Sequence, residues 1–196
     1  MEKRKFKVSK SRQVNTYAEM WRASYWMMHQ AEEKVEGSYF QIMASLVFTA
    51  FTLEAYLNHI GKQIFGCWDD LEGLSPRKKL NVIAEKLGVE KDDSKSPFQT
   101  AKKLFDFRND VAHGKDVFLE SEEEMRITDS RLDEYMRKRL KAEWEGYCTL
   151  DNAKRAREDV ENIITKFHKI SNIPRDILFL HRSYSSHATL MHTDKS

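Results

Sequence analysis

Ser96-Pro97-Phe98-Gln99-Thr100-Ala101-Lys102-Lys103-Leu104-Phe105-Asp106-Phe107-Arg108-Asn109-Asp110-Val111-Ala112-His113-Gly114 opens with a Ser-Pro pair and closes on glycine. A serine cap followed by proline at the first helical position starts a helix, and a glycine able to turn left-handed stops one. The two signals predict a helix of about five turns over 97–113. Advancing about 100° per residue from Phe98, Ala101, Leu104, Phe105, Val111 and Ala112 fall within one arc of about 120°, the face a bundle buries. Arg108 sits in the middle of that arc. Asp106, Asn109 and His113 gather about 100–160° away, with Asp110 a little further round.

Outward from this helix the chain keeps a helical rhythm. Residues 38–65 are the most hydrophobic stretch and read as the central helix of a bundle. Before them, Tyr17, Met20, Trp21, Ser24, Met27, Met28 and Ala31 give 14–35 a helical spacing with a wide face, ended by Gly37. After a connector at 66–73, Ser75-Pro76 starts a short helix that Gly88 ends, and 90–95 is a charged loop. Asp151 opens a strong helix with Ala153, Ala156, Val160, Ile163, Ile164, Phe167 and Ile170 facing inward, until Asn172 and Pro174.

The weakest pattern lies at 115–149. Val117-Phe118-Leu119 and Met125-Arg126-Ile127 flank an acidic run at 121–124, which leaves room for a small hairpin at 115–128. Residues 132–144 suit a helix without a clean apolar stripe. The fold expectation is an all-α bundle of about five helices over 14–172, with a basic arm at 1–13 and a tail at 173–196. The tail is rich in His and Ser and is expected to order only against a partner.

Composition agrees with helices. Three prolines and seven glycines are few for 196 residues, enough chain to bury a substantial core. The net charge of +2 excludes a polycation. The arm nevertheless carries Lys3, Arg4, Lys5, Lys7, Lys10 and Arg12 against Glu2 alone. Such a run touches nucleic acid in some proteins and is more often a solvated, disordered start.

Cys67 and Cys148 lack ligand or disulfide spacing and read as free thiols of a reducing compartment. No apolar signal segment opens the chain, and Ser45, Thr49, Thr52 and Glu54 interrupt its longest apolar run. The expectation is a cytoplasmic protein with a buried core helix and no membrane span. His59, His168, His181, His187 and His192 show no metal-ligand spacing, so neither metal nor cofactor is expected. There is no Gly-rich phosphate loop and no Gly-x-Ser-x-Gly elbow, which leaves NTPase and serine-hydrolase chemistry without support.

An arginine centred on an apolar stripe is costly unless its charge is met. Glu54 lines up with Val47, Ala50, Phe51 and Gly61 on the central helix, so it is the natural mate for Arg108. One account of these residues is structural: the pair sets the register of two helices while His113 complements a C-terminal dipole. The other is functional. Asn109 and His113, at i and i+4, share a face, whereas Arg108 and His113 lie about 140° apart. One helix cannot easily wrap both groups around a phosphate, but two copies facing across a twofold axis can.

Arg108-Asn109-Asp110-Val111-Ala112-His113 resembles the arginine, polar residue, three variable residues, histidine signature of the HEPN superfamily. The central stretch 44–58, with its Leu53-Glu54-Ala55-Tyr56-Leu57-Asn58 turn, is similar to that family's preceding helix. The likeness covers roughly 14–172, loosely outside these two helices; 115–149 and the tail depart from a minimal bundle of this kind. HEPN domains are small helical bundles found in many prokaryotic toxin–antitoxin and phage-defence systems, and active ones are metal-independent endoribonucleases that work as dimers.

The resemblance implies that Arg108 stabilises charge on a phosphorane and that His113 moves protons, as imidazole does near neutrality. Asn109 would orient the scissile phosphate or His113, with Glu54 and Asp110 in support. Attack by a ribose 2′-hydroxyl would leave a cyclic phosphate and a 5′-hydroxyl, making RNA the substrate. A homodimer and an antitoxin or nucleotidyltransferase-like partner protein are implied as well. The alternatives are a non-catalytic module of this type that binds a nucleotide or a partner protein, and a purely structural scaffold.

Overall fold

The computed structural model describes residues 6–173, 178–179 and 183–190. Its order is β1 (Phe6–Gln13), α1 (Thr16–Glu33), α2 (Tyr39–Ile64), α3 (Trp68–Leu71), α4 (Pro76–Lys86), α5 (Phe98–His113), α6 (Asp129–Arg137), α7 (Glu143–Tyr147), α8 (Leu150–Ser171) and β2 (Ser183–Leu190). The protein is mostly helical.

α2 is the hub, touched by α1, α3, α4, α5 and α8. By length and composition it could cross a membrane. Here half of that apolar window is buried by its neighbours, and Leu46, Leu53, Leu57 and Ile60 keep no exposed surface. Its hydroxyl residues build the α1 seam. The Ser24 hydroxyl lies 2.6 Å from that of Thr49, and Ser45 Oγ donates to the Ser24 carbonyl at 3.0 Å. Small polar side chains that satisfy one another let the two helices close together without orphaned donors. Gly61 plays a related part: a Cβ there would stand 2.3 Å from the Trp68 ring, so the bare backbone is what admits the indole.

The helix ends follow their signals closely. Ser75 Oγ accepts from the Lys78 N–H ahead of Pro76, Thr149 Oγ1 accepts from the Asn152 N–H, and Asn172 ends α8 in the left-handed region. α5 departs in one detail. Pro97 itself occupies the N-cap position, and Ser96 donates instead to Asp159 Oδ1 at 2.6 Å, tying the start of α5 to α8.

Several expectations are corrected. Among the described residues there are eight helices where about five were expected; five are long (α1, α2, α4, α5 and α8), and α3, α6 and α7 are short pieces with weak local signals. No hairpin forms at 115–128, where neither strand nor helix occurs. Val117 and Phe118 stay exposed there, so alternation has no dry face to pin a register. The helix expected over 132–144 breaks into α6 and α7. Ile170, expected inward, is exposed in the last turn of α8.

The all-α description also needs a strand pair. β1 and β2 form an antiparallel ribbon that runs from Phe6 opposite Leu190 to Gln13 opposite Ser183. Residues 6–13 of the arm are thus an ordered strand, exposed along its whole length where a solvated, disordered start was expected, and residues 183–190 of the tail pair with it. His187 stands opposite Ser9. Lys3, Arg4, Lys5, His181 and His192 lie outside the described residues.

Candidate active site at the end of the fifth helix

α5 is a gradient from dry to wet. Phe98, Ala101, Leu104 and Phe105 are buried against the bundle, Val111 is half-buried, and Ala112 and His113 are exposed. The single arc expected from an ideal wheel is thus corrected at both edges. Ala112, expected inward, is exposed in the last turn of α5. Phe107 gains cover because α7 brings Tyr147 to 5.4 Å from its ring.

Arg108 lies at the transition, with 18% of its side chain exposed and 25% of Glu54's. One end of the guanidinium donates to the Glu54 carboxylate from α2. The other end, Nη1, donates to Asn109 Oδ1 at 2.9 Å. Its Cζ sits 5.7 Å from the Phe51 ring centroid, and Nε is buried without a hydrogen-bond partner among the described residues. The planar fork is therefore fixed at both tips by groups of its own chain, as guanidinium geometry favours.

Asn109 is bound to the arginine and not to His113, a preference the helical spacing of Asn109 and His113 did not show. Asp106, grouped with them on the wheel, is drawn away by Arg77 of α4, to which it is ion-paired. Asp110 contributes its backbone: its carbonyl accepts from the Gly114 N–H at 3.1 Å, and Gly114, at φ +34°, ends the helix. That stop leaves His113 as the last helical residue, exposed, one turn and a residue beyond Arg108.

Chemically, this is a restrained cation beside an exposed imidazole. The cation is already matched by one carboxylate, so an anion can reach it only from the open side or by sharing it with Glu54. Within one chain the two groups point from different sides of the helix. Among the described residues no three His, Cys, Asp or Glu side chains gather to hold a metal ion.

No protein-family model matches the chain, and neither a curated protein nor a solved structure matches it.

Proposed function

We propose that the protein is a metal-independent endoribonuclease of HEPN type. Two copies would join across a twofold axis at α5 to build a composite Arg108/His113 site. The observation that carries this reading is a guanidinium clamped between Glu54 and Asn109 five residues before an exposed histidine at a helix end. Clamping holds charge-assisted donors in place before the reaction, the preorganisation that stabilises a phosphorane.

In the reaction, one imidazole removes the proton from the ribose 2′-hydroxyl. The oxygen attacks the neighbouring phosphorus, and a proton is delivered to the leaving 5′-oxygen. The products are a 2′,3′-cyclic phosphate and a 5′-hydroxyl. Arg108 stays charged throughout and faces the equatorial oxygens. The setting that fits is cytoplasmic, in a toxin–antitoxin or phage-defence system, with an antitoxin or nucleotidyltransferase-like protein as regulator.

One observation favours a second reading, a non-catalytic module of the same type that binds a nucleotide or a partner protein. Glu54 already neutralises Arg108 inside the monomer. The two readings separate on purified protein incubated with RNA in EDTA. The nuclease cuts and leaves cyclic-phosphate ends, and His113→Ala abolishes cutting while circular dichroism stays helical. No cleavage by wild type, or unchanged cleavage by a folded His113→Ala protein, overturns the assignment of His113.

A further inference from the structure

A second arginine lies in a different setting, where α8 meets α1. Arg157 keeps 8% of its surface exposed, and no carboxylate lies within ion-pair distance among the described residues. Its guanidinium lies 3.6 Å from the Trp21 ring centroid, and its Nη1 donates to the Trp21 carbonyl at 3.0 Å. Tyr25 stands 5.7 Å away on the same side, and Phe179 stacks on Trp21 with ring centroids 5.0 Å apart at 24°. Burial pushes the arginine's pKa down to about 10, against an opposing pull from Glu161.

These groups line an open cavity of about 340 Å³ together with Trp26 and Arg22. Packing accounts for Trp21; Trp26 stacks on His29 at 10° with Tyr25 edge-on to both, yet Tyr25 and Trp26 remain 44% and 48% exposed. Aromatic rings left in water beside a cation are the groups that hold a stacked base and its phosphate. The volume lies at the lower end of the range that takes a small molecule.

We infer that the cavity between α1 and α8, lined by Trp21, Tyr25, Trp26 and Arg157, binds a nucleotide through base stacking and a phosphate–guanidinium contact. The nucleotide is either free or one unit of a single-stranded RNA. This site shares no residue with the α5 centre, so it stands or falls apart from the cleavage reading.

Isothermal titration calorimetry of the full chain tests it, with AMP, adenosine and inorganic phosphate as separate probes. AMP is expected to bind saturably, adenosine about tenfold more weakly, and phosphate alone more weakly still. Trp26→Ala, a surface change that spares the fold, is expected to weaken AMP about tenfold. Arg157→Met, which removes the charge but keeps the stem over Trp21, should erase the preference for AMP over adenosine, while His113→Ala should bind AMP as wild type does. A single-stranded RNA oligomer that displaces AMP identifies the strand as the source, and failure to displace it identifies a free nucleotide. The inference is overturned if AMP gives no saturable heat, if Trp26→Ala binds it unchanged, or if phosphate binds as well as AMP.

Discussion

Arg108 and Arg157 are both withdrawn from water, yet the molecule meets their charges in opposite ways. Arg108 is answered by a carboxylate from the neighbouring helix and by the amide next to it. Arg157 is answered by an aromatic face and a backbone carbonyl, with no ion-paired carboxylate among the described residues. A matched pair orients the guanidinium but leaves little net charge to attract an anion. An unmatched guanidinium keeps its charge, and it needs rings and carbonyl dipoles to tolerate burial. The first arrangement suits a residue that must hold still while charge develops in front of it. The second suits a residue that attracts a charged ligand.

The largest expected effect lies on the α5 side. Arg108→Ala and His113→Ala should each lower RNA cleavage at least about 100-fold, read as product ends on a gel. The effect of Arg157→Met on cleavage of a short RNA should fall on KM rather than kcat, since it touches binding rather than chemistry. Equal losses from both arginines would erase the distinction drawn between them.

Stability sharpens the same contrast. Glu54→Leu leaves Arg108 half-buried with only the Asn109 amide and no carboxylate, and should cost about 2–4 kcal/mol in urea unfolding. The double variant Glu54→Leu with Arg108→Met should recover most of that loss, because the desolvation cost of both charges goes with them. Arg157→Met, which removes a cation lacking an ion-pair partner but keeps the stem over Trp21, should cost only about 1–2 kcal/mol. A larger loss there than at Glu54 would mean that Arg157 is first a packing residue.

The α5 arginine was legible in the sequence and the α8 arginine was not, for physical reasons. Arg108 and Glu54 each interrupt an apolar stripe, and two such interruptions on neighbouring helices point to each other. Arg157 lies at the edge of α8's apolar stripe, among Lys154, Arg155, Glu158 and Asp159, where a cation reads as part of the wet face. One of its cavity walls, Phe179, arrives from beyond the end of α8.

The helix ends at Ser75, Asn172 and Gly114 were readable because each acts on its own turn, whereas the cap of α8 is Thr149, two residues before the Asp151 start that was expected. The β1–β2 ribbon was not, because Ser11 finds Ser185 from the other end of the chain, and strands that alternate only weakly carry no mark of a distant mate. The split into α6 and α7, and the cover that α7 gives Phe107, were hidden for a similar reason. Short helices owe their existence to tertiary contact more than to propensity.

The composite centre requires His113 of one protomer to face His113 of its partner, and cross-linking reads that directly. H113C in a C67S background removes the exposed thiol, while Cys148 stays buried with its thiol pKa raised by that burial. Treatment of this variant with a short bismaleimide should yield a covalent dimer in high proportion, and preincubation with a non-cleavable RNA should suppress it. A protein that remains monomeric on denaturing gels after this treatment, while the parent C67S protein still cuts RNA, would contradict the account.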